Sequence, residues 1–175
     1  MKKKKNIFWN SAASFKVGVL LGINLVAIGL DQWTKWLVHT SFRVGESLDV
    51  WPPFFALTYV RNRGAAFGIL QTVDASFREP FFVLIPVSAI LAISVIYYKL
   101  EAKERLSALA LSLVLAGAIG NLIDRLLYRY VIDFLDFHWY EVYHWPAFNV
   151  ADSCIVVGLG FFILQSFRQK KVAPA

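Results

Sequence analysis

Residues 106–127 read LSALALSLVLAGAIGNLIDRLL, an apolar run that closes on three polar side chains. Its length matches the roughly 20 residues that a helix needs to cross the hydrocarbon core of a bilayer. Asn121, Asp124 and Arg125 follow at spacings of three and four, which place them on one stripe of such a helix. Because ionisable groups are costly inside a membrane, we expect them to face a polar cavity or to brace a neighbouring helix.

Three further apolar runs accompany this one, and together they predict a membrane protein. The sequence is 58% hydrophobic and only 17% charged, whereas soluble domains usually carry about 25% charged residues. The prediction is a single all-α membrane domain over residues 1–175 with a small β element. Its four transmembrane helices are expected at about 15–36, 81–98, 106–127 and 147–166.

The basic residues predict the orientation of these helices. The formal net charge is +6, but the positive side chains stand at the ends of apolar runs, which argues against a nucleic-acid partner and for the positive-inside rule. With four spans, three segments rich in Lys and Arg fall on one side of the membrane: the segment before and at the start of helix one, the loop between helices two and three, and the segment after helix four. Their basic residues are Lys2, Lys3, Lys4, Lys5, Lys16, Lys99, Lys103, Arg105, Arg168, Lys170 and Lys171. Both termini are therefore predicted to be cytoplasmic.

Two longer segments, 37–80 and 128–146, then lie outside the cytoplasm. The first contains the β-branched and aromatic stretch 54–60, interrupted on either side by Gly45, Pro52, Pro53 and Gly64, which predicts short strands. These strands would form a β-sheet platform between helices one and two at the membrane surface. The second segment is rich in Tyr, Trp and His, residues that settle at the headgroup level of a bilayer.

Polar residues also mark the outward ends of helices one and four. Asp31 and Lys35 lie four residues apart, a spacing that favours an ion pair on one helix face. Asn149 is a candidate N-cap for helix four, and it places Asp152 about one turn inside that helix, where water is scarce.

Two further carboxylates, Asp133 and Asp136, precede helix four in a predicted loop. Two carboxylates in a poorly hydrated site cannot both ionise cheaply, so one keeps a proton while the other can take one from water. The layout brings several carboxylates to one depth, which predicts the chemistry of an aspartic protease. The residues alone rank Asp124 as highly as Asp133 for the partner of Asp152.

Rival chemistries find less support in the sequence. His138 and His144 form no HExxH motif, and Cys154 is the only cysteine, so neither a zinc site nor a disulfide is expected. Ser153 has no neighbouring Lys or His to activate it as a nucleophile. We therefore expect no metal and no cofactor.

Five blocks of residues resemble those of the bacterial lipoprotein signal peptidases, also called signal peptidase II. The blocks, in chain order, are Asp31-Gln-Trp-Thr-Lys35, Asn62-Arg-Gly-Ala-Ala-Phe-Gly68, Gly120-Asn-Leu-Ile-Asp-Arg125, Val131-Ile-Asp-Phe134 and Phe148-Asn-Val-Ala-Asp152. One block alone would be a weak signal, but five in order within a four-helix layout are specific. No block departs from the family pattern.

The resemblance implies a function and a set of site residues. It implies an aspartyl endopeptidase of the bacterial inner membrane, with Asp133 and Asp152 as its catalytic pair and the active site facing outward. The substrate would be a prolipoprotein with a diacylglyceryl-modified cysteine, cut on the N-terminal side of that cysteine, and globomycin would inhibit the enzyme. Supporting roles fall to Asp31, Lys35, Asn62, Gly64, Asn121, Asp124, Arg125, Asn149 and Ala151.

Two other function classes stay open at the level of the sequence. A small proton-coupled transporter could use Asp31, Lys35, Asp124 and Arg125 as a relay, although no internal repeat supports it. A structural membrane subunit could use the same pairs to lock its helices together. For the enzyme, we also expect Asn62, on a Gly-flanked loop, to hydrogen-bond the backbone of the substrate.

Overall fold

The computed structural model describes residues 11–63, 75–101, 103–140 and 142–170, and these residues form four helices and four strands. In chain order the elements are α1 (Ser11–Ser41), β1 (Ser47–Trp51), β2 (Phe55–Asn62), α2 (Ala75–Lys99), α3 (Arg105–Tyr128), β3 (Val131–Trp139), β4 (Tyr143–His144) and α4 (Val150–Lys170). A helical protein with a small antiparallel sheet is what the sequence predicts.

The helices carry the properties of a multi-pass membrane protein. Three of the described helical stretches are long and apolar enough to cross a bilayer, namely Ser14–Ser41, Pro80–Lys99 and Arg105–Tyr128, and Val150–Gln165 is a shorter apolar helix. Apolar side chains point away from the protein, as at Leu25, which is 78% exposed, and Leu84, which is 62% exposed. In a membrane such side chains contact lipid rather than water.

Helix α3 is the most buried of the candidate membrane spans, and it lies at the centre of the bundle, where it packs on α1, α2 and α4. Glycine lets α3 and α4 approach closely. A Cβ atom on Gly158 would lie 2.6 Å from the carbonyl oxygen of Ala110 and 2.7 Å from Cγ2 of Val114. Small residues at such crossings bring helix backbones into contact, which is how helices associate where lipid removes the hydrophobic driving force.

The helix boundaries differ from the predicted ones by several residues. α1 begins at Ser11 and runs to Ser41, α2 begins at Ala75, and α4 begins at Val150 rather than near 147. Hydropathy locates only the apolar part of a helix. The helix itself continues through neighbouring polar residues until a helix-breaking residue or a cap ends it. α4 starts later because the Asn149 side chain caps it, accepting a hydrogen bond from the backbone N–H of Asp152 at 2.9 Å.

The sheet draws on both of the longer segments between helices, 37–80 and 128–146, so its prediction between helices one and two alone was only half right. Its strand order is β1-β2-β3-β4, with antiparallel pairing. β3 and β4 come from segment 128–146, where no strand was predicted. Asp133 and Asp136 therefore lie on a strand and not in a loop. β3 pairs with β2 on one edge and is buried along most of its length, which only tertiary contacts reveal.

The sheet and the basic α2–α3 connection lie at opposite ends of the helix bundle. At the connection, Lys16 near the start of α1 donates from Nζ to the carbonyl oxygen of Leu100 at 2.7 Å, and the hydroxyl of Tyr97 donates to the carbonyl oxygen of Lys16. At the other end, β3 follows directly after α3 and precedes α4. The carboxylates singled out by the sequence all belong to this second end.

Candidate active site

Asp133 and Asp152 line one cavity of about 670 Å³ at the sheet end of the bundle. Asp133 projects from β3, while Asp152 lies in the first turn of α4. The end of β2 contributes Asn62 and α3 contributes Arg125, and the wall running toward α4 is apolar, with Phe148 and Val156 among its side chains. Two carboxylates thus share a cavity whose lining is mostly apolar.

Asn149 holds both carboxylates in place. Its Nδ2 donates to Oδ1 of Asp133 at 2.7 Å, and its backbone N–H donates to Oδ2 of Asp152 at 3.2 Å. Its Oδ1 accepts the backbone N–H of Asp152. Asn149 and Asp152 therefore form a reciprocal cap at the start of α4, and the same asparagine side chain ties that cap to β3.

The environment of Asp133 favours its neutral form. Burial raises the pKa of Asp133 from an ordinary 3.8 to about 7, and the nearby charge of Asp152 acts in the same direction. Three contacts act in the opposite direction and lower the pKa of Asp133. They are the hydrogen bond from Nδ2 of Asn62 to Oδ2 of Asp133 at 2.9 Å, the hydrogen bond from Asn149, and the positive charge of Lys35. Asp133 can therefore hold a proton near neutral pH.

Asn121 links this pair to a buried ion cluster. Its Nδ2 donates to Oδ1 of Asp152 at 2.7 Å, while its Oδ1 accepts from Nζ of Lys35 at 3.0 Å. Lys35 also pairs with Asp31 at 2.8 Å and with Asp124 at 3.0 Å, and all three side chains are at most 2% exposed. The predicted Asp31–Lys35 pair is present, with Asp124 as a second carboxylate on the same ammonium.

Both carboxylate oxygens of Asp124 accept hydrogen bonds from neighbouring residues, and Asp124 is not among the described residues that line the cavity. One oxygen accepts the backbone N–H of Ile132 at 3.0 Å, and the other accepts Nε2 of Gln32 at 2.9 Å. Its ion pair with Lys35 completes its surroundings. Of the two carboxylates that the sequence ranked equally, Asp133 lines the cavity with Asp152, and Asp124 is not among the described lining residues.

Asp31 explains why the neighbouring residues are small. Its Oδ1 accepts the backbone N–H of Ala151 at 2.8 Å, which joins α1 to the first turn of α4. A Cβ atom on Gly120 would lie 2.7 Å from Oδ2 of Asp31 and 3.2 Å from Cβ of Ala151. Ala151 thus contributes its backbone N–H and a small side chain to this contact, and its supporting role in the site stays a prediction.

Known proteins resemble this chain over most of its length. The profile of a family described as "Signal peptidase (SPase) II" matches residues 23–168. Proteins named "Lipoprotein signal peptidase" from Syntrophotalea carbinolica and Geobacter metallireducens are 47% and 44% identical, over 89% and 85% of this chain and 94% and 90% of their own. This chain belongs to the signal peptidase II family. The resemblance carried by the five sequence blocks is confirmed.

Solved structures agree with this assignment of the signal peptidase II family. A "Bacterial membrane enzyme" determined by the in meso method at 2.3 Å resolution aligns with a TM-score of 0.79 at 33% identity, covering 91% of this chain and 95% of its own. A second, at 1.9 Å, gives a TM-score of 0.76 at 34% identity, covering 85% of this chain and 92% of its own. These comparisons support a protease of the signal peptidase II family and do not favour a transporter.

Several residues of this signal peptidase II chain were misjudged or missed in the sequence. Asn62 ends strand β2 rather than lying on a loop, and its Nδ2 donates to Asp133. It also lines the cavity, so its expected hydrogen bond to the substrate backbone stays a prediction. Gly64 lies outside the described residues. Gln32, which sequence reasoning passed over, bonds both Asp31 and Asp124; its position directly after Asp31 gave no helical-face signal, because adjacent residues point in different directions.

Asp136 stands apart from the pair and has its own partners. It accepts a hydrogen bond from the hydroxyl of Thr58 at 3.1 Å, and Nδ1 of His144 lies 3.1 Å from its Oδ1. With His138 these residues form a group whose ligand-type atoms all lie within 4.8 Å of one another. The expectation of no metal ligands rested on the missing HExxH motif and overlooked this group.

Proposed function

We propose that this chain is an aspartyl endopeptidase that removes signal peptides from prolipoproteins, with Asp133 and Asp152 as the catalytic pair. The name of its relatives, lipoprotein signal peptidase, supplies the substrate class. The observation that carries the proposal is the shared cavity, in which Asn149 binds both carboxylates and Asp133 has a pKa raised to about 7.

The two carboxylates divide the chemistry between them. Ionised Asp152 takes a proton from a water molecule as the water oxygen attacks the scissile carbonyl carbon, and neutral Asp133 donates its proton to the carbonyl oxygen. Collapse of the resulting diol breaks the C–N bond, the amine leaves with a proton from Asp152, and Asp133 regains the proton of the diol hydroxyl. Atoms and charge balance without a metal or a covalent enzyme intermediate.

Arg125 is suited to bind the peptide beside this pair. It lines the cavity, and its Nη1 donates to the carbonyl oxygen of Asn121 at 3.2 Å. Its buried Nε has no hydrogen-bond partner among the described residues. A guanidinium held in this way offers a directed donor to a substrate carbonyl. Asn121 thereby positions both the Asp152 carboxylate and the Arg125 side chain.

The membrane arrangement favours a lipid-modified substrate. In this proposal all four helices cross the bacterial inner membrane as one domain, both termini face the cytoplasm, and the sheet lies on the extracytoplasmic side. The apolar cavity wall with Phe148 and Val156 then opens toward the outer leaflet. The acyl chains of a diacylglyceryl cysteine can stay in lipid, where each buried CH₂ contributes about 0.8 kcal/mol.

A matched pair of substrates tests the proposed specificity. We expect a diacylglyceryl-modified precursor to be cut N-terminal to its cysteine, and the same precursor without lipid to be cut at least about tenfold more slowly, because it loses the apolar contribution of its chains. A gel-shift assay in detergent measures both rates, and globomycin is expected to inhibit the first. Equal cleavage of the two precursors would contradict the specificity and leave the catalytic pair standing.

The pH dependence tests the proton on Asp133. Because donation needs neutral Asp133, the cleavage rate is expected to fall about tenfold per pH unit above a pKa near 7. Asn62→Ala removes a hydrogen bond that lowers this pKa, so its alkaline limb should move to higher pH. Rates measured on the lipidated precursor from about pH 5 to 9 check both; a rate that is flat or rising through this range would show that Asp133 is not the acid.

A further inference from the structure

The structure places three metal-ligand side chains together on the sheet, away from the aspartate pair. Asp136 and His138 are two residues apart on β3, so they share one face of the strand. His144 on β4 is the cross-strand partner of His138 in the sheet register. A D-x-H pattern on one strand and a histidine opposite it on the next thus meet through strand pairing.

The distances between these side chains suit a small cation. Nδ1 of His144 lies 3.1 Å and Nδ1 of His138 lies 3.8 Å from the same oxygen, Oδ1 of Asp136. Ligands bound to zinc at its usual 2.0–2.2 Å lie about 3.4 Å apart in a tetrahedral site. The two imidazole rings stack with centroids 4.9 Å apart and an interplanar angle of 29°, so both rings present an edge to the carboxylate.

The surroundings resemble the outer shell of a metal site. The hydroxyl of Thr58 donates to Oδ2 of Asp136 at 3.1 Å, which orients the carboxylate with Oδ1 toward the histidines. The side chains of Asp136 and His138 are 12% and 2% exposed, whereas that of His144 is 45% exposed. His144 is therefore the ligand of the group that solvent reaches most easily.

We propose that Asp136, His138 and His144 bind a divalent metal ion of the zinc class on the extracytoplasmic sheet. Two imidazoles and one carboxylate are a donor set that Zn²⁺ accepts with a fourth, open position. The ion would fasten the two-residue strand β4 to β3. The next residue, Trp145, lines the cavity of the aspartate pair, so the metal would also hold one wall of that cavity.

Zinc binding by the full-length protein in detergent, with any affinity tag removed, tests this site directly. Competition with a chromophoric chelator is expected to give one saturable Zn²⁺ per chain. His144→Phe keeps an aromatic ring against His138 but removes a ligand, and it should weaken zinc binding by more than about 100-fold. Thr58→Val alters only the outer shell and should weaken zinc binding less, by about tenfold.

The controls separate this site from adventitious binding. His39→Phe removes a histidine of α1 that bonds Tyr59 and is not part of the proposed metal-binding group, and it should bind zinc like the wild type. Thermal melts without metal show whether each variant is folded, and half-exposed His144 tolerates replacement. Absence of saturable binding in the wild type, equal affinity of His144→Phe and His39→Phe, or equal binding of Mg²⁺ would overturn the proposal. None of these readouts depends on peptide cleavage.

Discussion

Asp133→Asn and Asp152→Asn are each expected to abolish cleavage of a lipidated precursor. Each amide keeps the size of the side chain but cannot exchange the proton that the reaction needs. General acid–base groups contribute about 10²–10⁴-fold to a rate, so each loss should be at least that large. Single-turnover cleavage in detergent measures it, since binding and chemistry are then separated. Full activity in either variant would show that the pair is wrongly assigned.

The matched control for this experiment is Asp49→Asn. Asp49 is an exposed carboxylate on β1, outside the cavity, so its cleavage rate should equal that of the wild type. If the carboxylates served only to lock helices, as a structural subunit would need, the active-site variants would also lose stability. Thermal melts separate the two explanations.

The raised pKa of Asp133 predicts the direction of that stability change. Neutral Asp133 favours the folded state fully at pH values below its ordinary pKa of 3.8, and this contribution is lost as the pH rises through about 7. At pH 8 the wild type therefore holds an ionised buried carboxylate, which Asp133→Asn removes. We expect this variant to be inactive, and its melting temperature relative to the wild type to rise from about pH 4 to about pH 8, because only the wild type ionises at this position.

The helices of this protein could be predicted because their signals are local. Apolar runs of spanning length and the i,i+4 pair of Asp31 and Lys35 need no knowledge of the rest of the chain. The cap at Asn149 is of the same kind. β3 could not be predicted, because its burial comes from pairing with β2, roughly 70 to 80 residues earlier in the chain. Its acidic residues also interrupt the apolar pattern that would indicate a buried strand.

The same limit applies to the candidate site. Sequence spacing ranked Asp124 with Asp133, and what distinguishes them is which carboxylate meets Lys35. That contact joins α1 to α3 and is visible only in the tertiary structure. The group of Asp136, His138 and His144 was missed for a similar reason, since strand register brings it together and no helical motif describes it. The resemblance to a family selected Asp133, and the cavity that Asp133 shares with Asp152 supports that proposal.

Lys35→Met is expected to cause the largest loss of stability of any single substitution considered. The Lys35 ammonium is buried and pairs with Asp31 and Asp124 while also donating to Asn121. Methionine retains much of the apolar stem but leaves two buried carboxylates without their cation. Breaking a buried ion pair by removing one partner costs about 3–5 kcal/mol. Unfolding by SDS titration in mixed micelles, followed by circular dichroism, measures the change.

Lys103→Met provides the comparison, because Lys103 also pairs with a carboxylate but in an exposed setting. Its Nζ lies 2.8 Å from Glu101, and the two side chains are 81% and 66% exposed. Exposed pairs contribute little since water and salt screen them, so no measurable change is expected. Adding Asp31→Asn to Lys35→Met should restore part of the stability, because it removes one unpaired buried charge. Equal unfolding of Lys35→Met and Lys103→Met would mean that the buried cluster does not hold α1 to α3, and that Asn121 is positioned beside Asp152 by packing alone.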